Sequence, residues 1–216
     1  MGQLRFAIPR PERLSPGALS RAYVAGIDAI PWECRRTHAH GVLSIERDVK
    51  ESGNLYFPWL VPGQGEFTLC TASLMERERP YHLTVELARG TLNRLRNQID
   101  IWESGGATIP DECLRLVHEA TLALAKAAIG KADAIVADDA AGESISLAMR
   151  AIDVVCRDYT RQVIEALPEL SCVRIGLLHV YIQHTVVHWR ARRHQWLPFR
   201  YQGNIGPPDE DHIIRR

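Results

Sequence analysis

Residues 75–103 read MERERPYHLTVELARGTLNRLRNQIDIWE and connect a strand-rich first half of the chain to a helical second half. After a charged turn, apolar side chains recur every three or four residues, which is the spacing that gathers them on one face of an α-helix. The stripe consists of Leu83, Leu87, Thr91, Leu95, Ile99 and Trp102. Gly105 and Gly106 follow and predict the end of this helix. The stretch therefore predicts an amphipathic helix that covers the strands before it.

The first half of the chain alternates apolar and polar residues, as strands with one buried face do. Leu4, Phe6 and Ile8 alternate in this way, and so do Leu43 and Ile45. The pattern predicts strands over 3–9, 42–47, 55–61 and 66–71, and a short helical turn or loop over 18–25. Turn-forming residues at 51–54 and 62–65 connect these runs. Short strands with such turns predict a small antiparallel sheet or sandwich.

Two further helices follow the first. One opens at Pro110, a favoured first helical residue, and its apolar stripe is Leu114, Val117, Thr121, Leu124 and Ala128. After an alanine- and aspartate-rich break at 137–142, the next helix runs from Ile145 to Leu167 and ends at Pro168. The predicted fold class is α+β. A small antiparallel β-sandwich-like module spans 1–75, a helical hairpin or three-helix bundle spans 76–168, and 169–216 form an irregular tail.

The composition favours a cytoplasmic protein and gives no electrostatic reason to expect nucleic acid or a membrane as a partner. The 216 residues carry a formal net charge of zero. Five cysteines without a CxxC spacing predict reduced thiols. The N-terminus lacks the features of a secretory signal, and no window reaches the roughly 18 apolar residues of a membrane span. The oligomeric state stays open at this level.

The first helix carries a second, polar face formed by Arg89, Asn93, Arg96 and Asn97. Their planar donor groups suit sugar hydroxyls or a carboxylate such as that of a uronic acid. They also suit the backbone of the β-module, because most polar side chains bond to backbone groups. The sequence favours the second interpretation, in which this face docks the helix on the strands.

Aromatic side chains in and near the strands are candidates for a sugar platform, because sugar rings stack their apolar face on aromatic rings. Tyr56 and Phe57 are neighbours in a strand and point to opposite faces, so one of them belongs to the core. The predicted carbohydrate-binding residues are Trp32, Tyr56, Trp59 and Tyr81.

No complete catalytic motif is present. Glycoside hydrolysis needs two carboxyl groups facing one sugar. The candidates near the junction are Glu76, Glu78 and Glu86, and they would have to face one sugar together. Glu76 and Glu78, however, alternate with arginines, which is typical of a charged segment exposed to solvent.

No complete metal-binding motif is present either. Cys34, His38 and His40 lack the second ligand cluster of a zinc site. In the tail, His184 and His188 are four residues apart, but the HTVVH segment lacks the glutamate of HExxH. We therefore predict no metal and no cofactor.

The junction segment RPY…ELARGTLNRLRNQ, together with ERDVKESGNLYFPWLVPGQGEFTLCTASL over 46–74, resembles the N-terminal region of planctomycete-type proteins that end in a glycoside hydrolase family 10 (xylanase-like) barrel. The resemblance extends from about Leu4 to about Gly176. It implies a carbohydrate-linked accessory region that precedes a barrel of about 250 residues. The chain after Gly176 is too short for that barrel, so the family's catalytic glutamates have no counterpart here. The tail is then expected to be a truncated or frame-shifted barrel start.

The sequence thus favours a non-catalytic accessory region of a glycoside hydrolase family 10-like protein, of the endo-1,4-beta-xylanase type and inactive alone. Its expected partner is a polysaccharide or oligosaccharide. Two alternatives stay open. One is a structural or protein-interaction module without sugar binding, and the other is a small hydrolase that uses the junction carboxylates.

Overall fold

The computed structural model describes residues 2–130 and 133–166, which form two β-sheets and four α-helices. The strands are β1 (Gly2–Ala7), β2 (Tyr23–Ala25), β3 (Cys34–Ala39), β4 (Val42–Arg47), β5 (Asn54–Val61), β6 (Gly65–Cys70) and β7 (Tyr81–His82). The helices are α1 (Ala18–Arg21), α2 (Leu83–Ser104), α3 (Asp111–Ile129) and α4 (Ala134–Ala166), and Pro11–Arg13 form a 3-10 turn. The predicted α+β fold class is confirmed. The predicted tail, including His184 and His188, lies outside the described residues.

The two sheets are small and mostly antiparallel. The first has the strand order β3-β4-β1-β7 and the second has β2-β5-β6. Only the pairing of β1 with β7 is parallel among these described strands. The predicted strands correspond to β1, β4, β5 and β6, whereas β2, β3 and β7 are additional. The predicted turn at 18–25 contains the short helix α1 and then the strand β2. β3 is an edge strand that is exposed on both faces after Cys34, so it lacks the alternation that reveals a strand.

One hydrophobic core joins both sheets to the helices. It contains Phe6 and Ile45 of the first sheet, Phe57 of the second, Leu87 of α2 and Ile145 of α4. Each of these side chains is fully buried. Such burial contributes about 1.5–3 kcal/mol per large apolar side chain. The strand-rich part also continues through β7, past the predicted boundary at residue 75.

A second core lies between the three long helices and uses smaller side chains. On α3 the buried residues are Cys113, Leu116, Ala120, Ala123 and Ala127. The first three belong to this second core, and Ala127 packs in the first core. This stripe lies one position before the predicted one, and Leu114 of the predicted stripe is 48% exposed. The predicted stripe placed larger side chains such as Leu114 in the helix contact. In the structure the small side chains of α3 face α4, and they let the two helices approach closely.

α4 is continuous, so the predicted break at 137–142 is wrong. Alanine has the highest intrinsic helix propensity, and the alanines of this stretch pack into the first core. They are Ala137, Ala140 and Ala141. Of the helices in the described part of the chain, none is both long and apolar enough to cross a membrane.

Candidate functional site

The polar face of α2 is exposed and does not dock on the strands. Its members are Arg89, Asn93, Arg96 and Asn97. Arg89 donates to Glu86 Oε2 of the same helix at 2.9 Å. Arg96 donates to Thr121 Oγ1 of α3 at 2.6 Å. The docking prediction is therefore wrong for these residues, while a role toward a ligand stays a prediction.

A different side of α2, at Gly90 and Arg94, docks on β6. A Cβ atom on Gly90 would lie 2.0 Å from the backbone oxygen of Cys70, so this close approach requires glycine. One turn further, Arg94 Nη1 donates to the same oxygen at 2.8 Å and Nη2 donates to Cys70 Sγ at 2.6 Å. Arg94 was not predicted as a contact residue, although its spacing of four residues from Gly90 places the two on one face of the helix.

Three of the four predicted sugar-binding aromatic residues are dispersed. Tyr81 is 8% exposed, and its hydroxyl donates to the backbone oxygen of Met75 at 2.7 Å. Tyr56 stacks on Tyr23 with the ring centroids 4.8 Å apart. Trp32 packs its ring against two glycines and an arginine. Each of these rings faces other protein groups, so the three do not form a shared platform.

The fourth aromatic candidate, Trp59, lines a cleft of about 470 Å³ between the 3-10 turn, the end of β5 and α4. Trp59 is 8% exposed, so only a small part of its side chain reaches this space. The lining residues include Trp59, Leu60, Pro62, Arg13, Glu143 and Ser146. This first cleft combines apolar walls with groups that donate and accept hydrogen bonds.

A second cleft of about 670 Å³ lies between the β5–β6 turn, the start of α3 and the second half of α4. Its lining residues include Gln64, Phe67, Glu112, Met149, Arg150 and Asp153. It has the same mixture of apolar and charged groups as the first cleft.

The two clefts lie along one face of α4 and flank the β5–β6 turn at 62–65. The α4 residues that line the first cleft are 139, 142, 143 and 146. Residues 149, 150, 153 and 157 continue this helical spacing in the second cleft, which is also lined by 152, 154 and 156 further around the helix. From Asp139 to Arg157 this face is about 27 Å long. Gln64 Nε2 at the turn lies 3.5 Å from the backbone oxygen of Ser146, between the clefts. We call the two clefts together the α4 groove.

An ion-pair network fixes the start of the groove. Arg10 donates to both carboxylate oxygens of Asp139 at 2.8 and 2.6 Å, and Arg13 donates to Oδ1 at 2.6 Å. The hydrogen bond from Arg10 and then that from Arg13 lower the pKa of Asp139 below its ordinary value. Asp139 is therefore held ionised and suits accepting a hydrogen bond from a hydroxyl rather than donating a proton.

The neighbouring Asp138 is buried and anchors α4. Thr84 Oγ1 of α2 donates to Asp138 Oδ1 at 2.5 Å, and Arg13 Nη1 donates to Oδ2 at 3.1 Å. The side chain of Asp138 is 3% exposed. This pair of contacts joins the first turn of α2 and the 3-10 turn to the wall of the groove.

The junction carboxylates do not line either of these clefts. Glu86 is buried and paired with Arg89, while Glu76 accepts a hydrogen bond from the backbone N–H of Gln3 at 3.2 Å. Glu78 is exposed. Within residues 2–130 and 133–166, no three His, Cys, Asp or Glu side chains come together as a metal site.

Comparison of the chain with protein-family models, with curated proteins and with solved structures finds no match. The basis for a functional proposal is therefore the α4 groove together with the sequence segments quoted above.

Proposed function

We propose that this chain is a non-catalytic accessory region of a glycoside hydrolase family 10-like protein, of the endo-1,4-beta-xylanase type, and that it binds a xylan-type polysaccharide in the α4 groove. One observation carries the proposal, the alignment of two clefts along one face of α4. Ligand sites are typically concave spaces of about 300–1,000 Å³ with apolar walls and a few placed polar groups. Two clefts that follow one another along a helix suit a polymer that repeats one unit.

The groups in the groove match the chemistry of a sugar chain. Glu143 and Asp139 accept hydrogen bonds from hydroxyl groups, and Arg13 donates to sugar oxygens. Pro62 and the exposed part of Trp59 contact the apolar face of a sugar ring. Beyond the turn, the second cleft repeats this arrangement with its own apolar and charged side chains.

The proposed role is binding without turnover. Hydrolysis of a glycosidic bond needs one carboxyl group that stays protonated to serve as the acid. The lowered pKa of Asp139 works against that role.

The proposed location of the chain is the cytoplasm. The free thiols of the described cysteines support it, because disulfides are rare in that compartment.

Retention on insoluble xylan tests the proposal. Ser146 lines the first cleft beside the β5–β6 turn, so Ser146→Trp places a large ring in that cleft, whereas Ser104→Trp makes the same change at the exposed end of α2. We expect the wild type and Ser104→Trp to be retained equally and Ser146→Trp to bind at least about tenfold more weakly, a loss of about 1.4 kcal/mol. A chromogenic xyloside should stay intact with all three proteins. Equal retention of Ser146→Trp, or no retention of the wild type, would contradict the proposal.

A second candidate, a protein-interaction module, is favoured by the outer face of α3. Leu114, Leu122 and Ile129 are 48%, 57% and 85% exposed. They lie about two turns apart on one side of the helix. A two-fold dimer brings the same apolar face of both copies together, so the partner that this candidate names is a second copy of this chain. A dimer that Leu122→Glu dissociates, without retention on xylan, would favour this candidate.

A further inference from the structure

The two clefts of the α4 groove differ in charge. Three carboxylates and one guanidinium line the first cleft. Asp139 is paired there with Arg10 and Arg13, at 2.6 Å in each case. The other two carboxylates, Glu12 and Glu143, form no ion pair with the described residues. The first cleft is therefore negative, and it suits a neutral sugar unit better than an anionic one.

The second cleft holds equal numbers of guanidinium groups and carboxylates, and one guanidinium is left without a partner. Arg157 donates to Asp153 Oδ2 at 2.6 Å, so these two charges balance each other. Arg150 also lines the cleft, is exposed, and forms no ion pair within residues 2–130 and 133–166. Its planar pair of donors thus stays available for the carboxylate of a ligand.

Gln64 of the β5–β6 turn supplies a second donor close to Arg150. Its Nε2 lies 3.5 Å from the backbone oxygen of Ser146, which is long for a hydrogen bond, so the amide is free to turn toward a ligand. Arg150 follows Ser146 by four residues, so it lies one turn, about 6 Å, further along the same face of α4. Since Gln64 and Arg150 both line the second cleft, one carboxylate there accepts hydrogen bonds from both.

The buried side chains that line the second cleft are apolar. Phe67, Leu116 and Met149 are at most 9% exposed. Apolar surface beside a guanidinium replaces part of the surrounding water, so an ion pair formed there is stronger than one in open solvent. Glu112 also lines this cleft and accepts hydrogen bonds from sugar hydroxyls, although its charge opposes an anion.

We propose that the ligand of the α4 groove is an acidic xylan-type polysaccharide, one that carries uronic acid substituents, and that Arg150 is the residue that selects it. This ligand class rests on the proposed function, because it concerns the same groove. A uronic acid carboxylate is ionised at neutral pH. It pairs with Arg150 and Gln64 in the second cleft, while neutral sugar units occupy the first cleft.

Calorimetric titration of the full chain with a matched pair of ligands tests this assignment. One ligand is a xylo-oligosaccharide with a single glucuronic acid branch, and the other is its methyl ester, which lacks the charge. We expect the wild type to bind the acid about fivefold more tightly than the ester at low salt, which is the effect of a well-placed exposed ion pair. Added salt should reduce this preference, because it screens the charges.

Three variants locate the preference. Arg150→Gln removes the unpaired charge of the second cleft and should bring the ratio of the two affinities to about one. Arg96→Gln makes the same change in the polar row of α2, which lines neither cleft, and should keep the ratio of the wild type. Glu112→Gln removes the opposing charge and should raise the ratio by about twofold.

Equal affinities of the wild type for the acid and the ester would overturn this assignment. A preference that Arg150→Gln retains, that Arg96→Gln abolishes or that Glu112→Gln lowers would overturn it as well. Binding of the ester would in each of these cases leave the proposed function standing. If neither ligand binds, the proposed function fails together with the assignment. Because Arg150 is exposed and unpaired, Arg150→Gln should fold as the wild type does, and near-UV circular dichroism checks this.

Discussion

α2 and α4 both pack against the sheets, but they present different surfaces to the surroundings. α2 exposes a row of four arginine and asparagine side chains, none of which lines either described cleft. α4 lines a groove whose other walls come from the 3-10 turn, the β5–β6 turn and α3. Exposed polar side chains stay hydrated, whereas a cleft can surround a ligand on several sides. Walls on several sides, rather than a dense row of polar residues, therefore distinguish the candidate site.

The largest predicted contrast concerns one glycine in each helix. Gly90→Ala in α2 places a Cβ 2.0 Å from a backbone oxygen, and we expect a loss of about 3 kcal/mol in the free energy of unfolding. Gly142→Ala in α4 places its Cβ 3.8 Å from the nearest atom, Arg13 Nη1, and alanine should stabilise the helix by about 0.5–1 kcal/mol. Urea denaturation measures both changes. Shifts of the same sign would contradict the close contact of α2 with β6.

The next prediction concerns the anchor of α4. Asp138→Ala leaves the buried Thr84 hydroxyl without its acceptor and removes an ion pair, so we expect a loss of about 2–3 kcal/mol. Asp153→Ala is the matched control on α4, because Asp153 forms only an exposed pair with Arg157 and should cost less than about 0.5 kcal/mol. Equal unfolding midpoints of the two variants in urea would show that Asp138 is not an anchor.

A smaller effect is predicted for acid stability. The pKa of Asp139 is lowered in the folded chain, first by Arg10 and then by Arg13, so its contribution is fully present above the ordinary pKa of 3.8. The contribution is lost as pH falls below that value and through the lowered folded-state pKa. Asp139→Asn should therefore be less stable than the wild type at pH 6, and the gap should close toward pH 2. Urea midpoints across this range check the prediction, and a gap that widens on acidification would refute it.

The smallest effect is predicted for the polar row of α2. Asn93→Ala and Asn97→Ala, alone or together, should change the free energy of unfolding by less than about 0.5 kcal/mol, because both side chains are exposed. Retention on xylan should also be unchanged. Thermal denaturation measures the change in stability, and the xylan assay measures retention. A clear loss of stability or of retention would show that the polar row of α2 itself contributes to folding or to binding.

The sequence predicted the parts of the fold that periodicity reveals. Val42–Arg47 and the end of α2 at Ser104 are as expected, because alternation and a glycine pair are local signals. The first part of α4 was missed because an alanine- and aspartate-rich stretch is typical of a break until the residues that it packs against are known. Asp138 needs Thr84 and Arg13, which lie far away along the chain.

The candidate site was only partly accessible from the sequence. Trp59 was predicted as a sugar-binding residue, and it lines the first cleft. Glu143 and Ser146 were missed, since the groove forms only when the 3-10 turn, the β5–β6 turn and α4 come together. The sequence predicted a helix only from Ile145, so Asp139 and Gly142 fell in the predicted break, and nothing in the sequence indicates which elements face this helix.

The most direct test of the α4 groove is calorimetric titration of the wild-type chain with xylo-oligosaccharides of increasing length. The groove extends about 27 Å along α4, so the association constant should rise with ligand length until the ligand spans both clefts and then level off. Ser146→Trp should remove this rise. An association constant that does not depend on ligand length, or that Ser146→Trp leaves unchanged, would contradict the account.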